Sequence, residues 1–343
     1  MGIRVVATIR EVAKRADVSP ITVSRVINNT SYVSAETRAR VEATIAELQY
    51  VPNKLAQSLR QKQTNTLALL VTDITNPFWT TVARGVEDVV SERGMSVFLC
   101  NTDESESKQN TYLNLVLQKQ VDGILLVPVN NQCEAILRIQ AQNIPVVVMD
   151  RKVTNAQVDV VRCDSEGGAY ELVRHLLEQG HRQIALLNGA INVFTAIDRA
   201  NGYRRALREA QLDINAEQIY HGEFTLASGY DMAQLAINAV PRPTALFAAT
   251  NFIAIGALRA LRDAGLHVPE DMVVVGFDDL PEEIVIEPFL TVAAQPAYEM
   301  GQQATELLLT RITEGAAGFQ EIILPTELRV RASSCVRVGR HDR

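Results

Sequence analysis

The chain has 343 residues, 47% of them hydrophobic and 21% charged, which excludes a disordered or fibrous protein and provides for two or three domains with sizeable cores. Its net charge of −7 argues at first against nucleic acid, but residues 1–65 hold ten Lys/Arg against five Asp/Glu, about +5, and leave about −12 for the rest. A basic head is suited to phosphate, and an acidic body is repelled by it.

Thr8 followed three residues later by Glu11 is a capping box that starts a first helix. Ile9, Val12, Ala13 and Ala16 recur along it at i, i+3, i+4 and i+7 as an apolar stripe. Asp17 and Val18 supply a turn. Ser19 is a good N-cap and Pro20 fits the first helical position, so a second helix begins there, with Val23, Val26 and Ile27 inward. Its other face carries Ile21, Ser24, Arg25 and Asn28, a surface suited to a recognition helix in a major groove. An Arg25 guanidinium has the geometry to bond guanine O6 and N7, and Ile21 to touch a thymine methyl. An ordinary solvated helix face is the competing reading. A third helix is capped by Ser34, with Val41, Ile45 and Leu48 inward, and Val51 before Pro52 ends it.

The run from Thr8 to Leu59, including Val33–Arg38, Tyr50–Asn53 and Ala56–Leu59, resembles the DNA-binding head and hinge of the LacI/GalR (lactose-repressor) family. The resemblance implies DNA contacts from Thr8, Ser19, Pro20, Ile21, Thr22, Ser24, Arg25 and Asn28, and from Asn53, Ala56 and Leu59 in a hinge helix that orders when two chains meet on DNA. Leu59 would then wedge into the minor groove at the operator centre. A segment of about two turns is too short to be stable alone, so ligand-driven changes in the body are able to decide whether it orders. A plain linker with Leu55 packed on Leu59 is the alternative.

From Leu67 onward, short apolar runs alternate with helical patterns: strands at Leu67–Val71, Val97–Leu99, Gly123–Val127 and Pro145–Met149, and helices over Phe78–Arg93 and Gln109–Gln120. This is the pattern of βαβ units around a parallel sheet. A second series starts near Ser165, with strands at Ile184–Leu187, Ala245–Phe247 and Met272–Val275. Thr66–Val71 with Ala83–Val86 is echoed by Gln183–Leu187 with Ala200–Tyr203, so two similar α/β lobes are expected, with a cleft beyond the strands' carboxyl ends. The resemblance agrees, since family bodies are like periplasmic sugar-binding proteins with several interlobe crossings. The expected organisation is a helix-turn-helix domain over 1–50, a hinge over 51–65 and a body over 66–343. Crossings near Arg162, Val292 and Ile323 give lobe 1 as about 66–162 and 293–322, and lobe 2 as about 163–292 and 323–340.

Asp73, Asn76, Phe78 and Trp79 directly follow the first strand, where aromatics stack on a sugar's C–H face and amides and carboxylates bond its hydroxyls. Helix-start core packing is the other role open to Phe78 and Trp79. Asp150 and Arg151 end another strand. Arg199, Asn251 and Asp278 lie just beyond second-lobe strands, and Gln295 near a crossing; the resemblance implies effector contact at each, and interlobe pairing, for example Arg199 with Asp278, is the competing role. Phe252 stands where the family usually has an acidic residue after this Asn, so either the pocket is more apolar or Phe252 turns away.

Cysteines 100, 133, 163 and 335 have no zinc-like spacing and read as reduced thiols, and His175 and His181 lie six apart, unsuited to a shared metal. No phosphate loop, nucleophile elbow or catalytic pair is present, so no enzyme, metal or cofactor is expected. The N-terminal apolar run is short for a signal peptide and no run is long enough to span a bilayer, which points to the cytoplasm and away from membranes. The tail after Val330 lacks heptads. The expectation is therefore a homodimeric repressor on operator DNA, controlled by a small molecule, either a monosaccharide or a co-repressor or other non-sugar metabolite. A transport-type binding protein and a two-lobe sugar enzyme are the rivals.

Overall fold

The computed structural model describes residues 7–51, 63–213, 218–281, 287–315 and 318–335. Asn53, Ala56 and Leu59, with the rest of the expected hinge, lie outside them. The chain divides into two compact units, residues 1–64 and 65–343.

The first unit contains α1 (Ile9–Arg15), α2 (Pro20–Asn28) and α3 (Ala35–Glu47). Each starts at its expected cap: Thr8 and Glu11 exchange both bonds of the capping box, the Ser19 hydroxyl accepts from Thr22 N at 3.1 Å, and that of Ser34 accepts from Thr37 N at 3.3 Å. Asp17 takes a left-handed φ of 50° in the turn. Val12, Ala13, Ala16, Val23, Val26 and Val41 form the core. This small core is tied further by an Arg15–Glu47 ion pair between α1 and the end of α3, and by Arg38, which donates to Val26 O and to Asn29 at the end of α2.

The second unit holds two sheets. The first lobe is built from β1 (Thr66–Val71), α4 (Pro77–Glu92), β2 (Ser96–Asn101), α5 (Glu106–Gln118), β3 (Gly123–Leu126), α6 (Glu134–Gln140), β4 (Val146–Met149) and β5 (Asp159–Cys163). The second follows with α7 (Ser165–Glu178), β6 (Ile184–Asn188), α8 (Phe194–Glu209), β7 (Ile219–His221), α9 (Leu226–Ile237), β8 (Ala245–Ala248), α10 (Asn251–Asp263), β9 (Val273–Phe277) and β10 (Thr291–Ala294). The chain then returns through α11 (Ala297–Glu314) and β11 (Glu321–Leu324) before closing with β12 (Glu327–Arg329). The sheet orders are β11-β5-β4-β3-β1-β2 and β12-β10-β9-β8-β6-β7, all parallel except the β10–β12 pair.

The two lobes therefore repeat one doubly wound order, in which β6 to β10 correspond to β1 to β5. Both faces of β1 are covered: Leu67, Leu69 and Val71 pack in one layer with α4 and α11, and Ala68 and Leu70 in the opposite layer with Leu113 and Ile136. Burial on both sides is why the strand reads as a continuous apolar run. The echoed glycines mark close helix approaches, since a Cβ on Gly85 would lie 2.2 Å from Tyr298 O and one on Gly202 would lie 2.2 Å from Glu166 O.

The second and third crossings follow β10 and β11. β10 runs through Val292 within the second sheet, and β11 runs through Ile323 within the first, so the chain changes lobe after Ala294 and after Leu324. The sequence pattern did not reveal β5, because it opens on a carboxylate and contains Arg162. The buried Asp159 is neutralised by Arg311 of α11 and accepts from Gln320 N at 2.8 Å.

Candidate DNA-reading helix and interlobe cleft

On the first unit, Ile21 and Arg25 project from α2 into solvent, and Ile21 is 62% exposed. Ser24 and Asn28 share that face, half-buried and joined by an Asn28 Nδ2 to Ser24 Oγ bond of 3.2 Å. Thr8, Ser19 and Thr22 spend polar atoms on helix caps, and Pro20 occupies the first position of α2. Arg25 makes no ion pair among the described residues, so its guanidinium is available to an outside acceptor. The packing of Val23 and Val26 against α1 and α3 fixes which way this face points.

In the second unit, a cavity of about 490 Å³ lies between the lobes at the carboxyl ends of the strands. Asp73, Asn76, Phe78, Trp79, Asp150, Arg151, Arg199, Asp278 and Gln295 all line it. Asn76 caps α4, its Oδ1 accepting from Phe78 N at 3.0 Å, which turns the aromatic pair toward the cleft. Phe78 and Trp79 meet edge to face with centroids 4.8 Å apart. Both are buried in the first-lobe core as well as lining the cavity. Asp73 accepts from Thr75 N at 2.8 Å and folds the loop back on itself.

The centre of the cavity is electrostatic. Asp150 follows β4 and Asp278 follows β9, its counterpart in the other lobe, and both adopt left-handed backbones, with φ of 63° and 68°. Arg199 of α8 lines the same cavity, donating to Ala249 O at 2.6 Å with its guanidinium 4.0 Å over the Phe277 ring. Burial pushes the Asp150 carboxyl above the ordinary range against the pull of Arg151 and Arg199, and does the same to Asp278 against Arg199 and a hydrogen bond from Gln295. Arg199 Nε and Gln295 Oε1 are buried without hydrogen-bond partners among the described residues. Both are therefore groups that a polar ligand can satisfy.

Arg151 also lines the cavity, with its Nε buried and without a hydrogen-bond partner among the described residues, but the rest of its guanidinium is paired. It forms a bidentate pair with Glu104 at 2.5 and 2.7 Å and donates to Pro128 O at 3.0 Å, while its guanidinium lies 5.7 Å from the Phe224 ring of the second lobe.

Asn251 and Phe252 do not line the cavity, contrary to expectation. The Asn251 amide is consumed by Asn76: each Nδ2 donates to the other's Oδ1 at 3.0 Å, a buried reciprocal pair joining the lobes. Phe252 is half-buried and is not among the residues that line the cavity. Among lining residues the sequence reading missed are Thr72, Asp103, Glu104, Asn192, Glu223, Phe224 and Thr250. Their strand-end positions were the available signal, but loops without a recognisable motif give no residue to choose. No group of residues among those described is arranged to hold a metal ion, and no helix among them is long and apolar enough to cross a membrane.

Residues 8–53 match the family described as bacterial regulatory proteins, lacI family, and residues 64–332 match periplasmic binding proteins and sugar binding domain of LacI family. The HTH-type transcriptional repressor PurR of Aliivibrio fischeri is 38% identical over 312 residues, 90% of this chain and 92% of that one. Among solved structures, the Lac repressor dimer bound to operator and the anti-inducer ONPF matches with a TM-score of 0.83 at 29% identity, over 96% of this chain and 100% of that one. A LacI family transcriptional regulator from Enterococcus faecium with bound ribose matches with a TM-score of 0.70 at 33% identity, over 78% and 98% of the two chains.

Proposed function

Because the chain is a member of the LacI family of bacterial regulatory proteins, we propose that it is a transcriptional repressor that binds a pseudo-palindromic operator as a homodimer and responds to a small molecule in the interlobe cleft. The observation that carries the reading is the pairing of two sites in one chain: an outward face of α2 with Arg25 and Ile21 exposed, and a cleft lined by Arg199 together with carboxylates from both lobes. The operator-bound Lac repressor dimer supports the DNA and dimer parts. So does the edge strand β2, whose Phe98 and Leu99 are 49% and 48% exposed, an apolar edge that association would cover. Leu59 acts in this reading as the minor-groove wedge, and the cytoplasm is the compartment.

The effector is a neutral polyhydroxylated compound, with a monosaccharide the best fit. Six carboxylates line the cavity against two arginines, and Glu104 already engages one of these. Such a field repels phosphates and carboxylates and leaves donors and acceptors for hydroxyls. The ribose-bound relative supports a sugar. Titration of purified protein with neutral pentoses, hexoses and their phosphates, followed by Trp79 emission, tests this. A saturable response to a neutral sugar with none to its phosphate is expected, and a preference for the phosphate would overturn it.

A further inference from the structure

The left-handed aspartates at the two strand ends share a further feature. Asp adopts a left-handed backbone more readily than most residues, so the conformation is shared with other turns of this chain, and what sets these two aspartates apart is what lies beside them. For Asp278 the upstream flank is the buried Phe277, and its own amide donates to Ala293 O at 3.1 Å. The downstream flank is Asp279. Its carboxylate accepts two bonds from Arg331, Nη1 to Oδ1 and Nη2 to Oδ2, both 2.7 Å, and one from Arg329 Nη1 at 2.8 Å.

Arg331 is itself anchored. Its guanidinium donates to Leu290 O at 3.0 Å and its backbone amide to Thr291 Oγ1 at 2.8 Å, and neither Arg331 nor Asp279 lines the cleft. The first lobe repeats the device with the charges exchanged. Asp150 is left-handed, and its downstream neighbour Arg151 is gripped bidentately by Glu104. Two lobes of one repeat have thus placed a bidentate arginine–carboxylate pair directly after the aspartate that enters the cavity.

We propose that Arg331 is a positioning residue for effector binding, clamping Asp279 so that the adjacent Asp278 carboxylate is held in the cleft, as Glu104 through Arg151 holds Asp150. The proposal rests on the effector reading of the cleft. Burial by itself would raise the Asp279 carboxyl, but Arg331 and Arg329 hold it below the usual range, so the carboxylate stays charged near neutrality. A bidentate pair also fixes orientation in a way that one flexible ammonium does not.

The test uses the full chain with Arg331→Met, Asp279→Asn, which keeps the side-chain shape should Arg331→Met fail to fold, and Arg262→Met as a surface control. Amide hydrogen exchange in the ligand-free protein is expected to quicken about tenfold at 278–279 in the two clamp variants, with β6 and β8 unchanged and the control silent. D-ribose affinity, where the wild type binds it, should fall about tenfold, and by less than the sum of the single effects when Arg331→Met is combined with Asp278→Asn. Unchanged exchange at 278–279, or full additivity with Asp278→Asn, overturns the clamp. A wild-type chain that ignores D-ribose counts against the sugar reading alone, and the exchange result then decides the clamp by itself.

Discussion

Replacing Asn251 with Ala breaks the side-chain contact between the lobes. The substitution removes the two interlobe hydrogen bonds of 3.0 Å, together with the 2.6 Å bond that Phe252 N donates to Asn251 Oδ1, and strands Asn76 Nδ2 in a buried position, whereas Asn76 Oδ1 keeps its bond from Phe78 N. The cap of α10 is untouched, because it is the Thr250 hydroxyl that accepts from Ile253 N. Leaving one buried amide donor unpaired costs about 1–3 kcal/mol, which shifts the ratio of closed to open lobes by about 5- to 150-fold. Small-angle scattering of the effector-free protein should show a larger radius of gyration. Effector affinity should fall by up to the same factor, because closing now costs part of the binding energy. Asn76→Ala loses the α4 cap as well, about 1 kcal/mol more, so the double variant should be less destabilised than the two single effects together. Scattering that superimposes on the wild type, with additive unfolding energies, would refute the idea that this pair holds the lobes together.

Arg25→Ala should cost about 1–3 kcal/mol of operator affinity and relax specificity at one base pair per half-site; an equal loss on every sequence, measured by anisotropy on a set of single-base variants, would make Arg25 a phosphate contact instead. Arg199→Met takes away the cation that Asp150 and Asp278 both face, so the sugar response should vanish while DNA binding persists, as mobility shifts with and without sugar will reveal. The pH dependence follows from His175 and His181, whose rings are held below the ordinary histidine range chiefly by burial. The folded state prefers them neutral, so their contribution is complete above about pH 6.5 and is lost as pH falls through their lowered folded values. Urea unfolding from pH 8 to 5 should show this decline, and His175→Gln, which keeps a polar group facing Ser334, should flatten it.

Legibility in the sequence followed the range of the interactions. Caps are local, so Thr8 with Glu11, Ser19 with Pro20, and Ser34 mark the helix starts without knowledge of the fold. β1, buried on both faces, was equally plain as an apolar run. What escaped depended on partners distant in the chain. β5 reads as polar until Arg311 is set beside Asp159, 152 residues away. The bidentate hold of Glu104 on Arg151 has no local sign in the sequence, and Asn251 looks free until Asn76 arrives from the other lobe, 175 residues away. Strand-end position located the cleft, but the division of its polar groups between ligand and lobe-to-lobe bonding is a tertiary property with no local signature.

The central claim is that one chain reads operator DNA and that the cleft controls that reading. The most direct measurement is anisotropy of a duplex enriched from a randomised pool by the purified protein, titrated with and without D-ribose and other neutral monosaccharides. The account predicts an inverted-repeat duplex that takes up two chains, an affinity that changes with a sugar, and an Arg199→Met variant that keeps the affinity and loses the change. Enrichment of no inverted repeat, or an affinity that a cleft-bound sugar leaves unaltered, would contradict it.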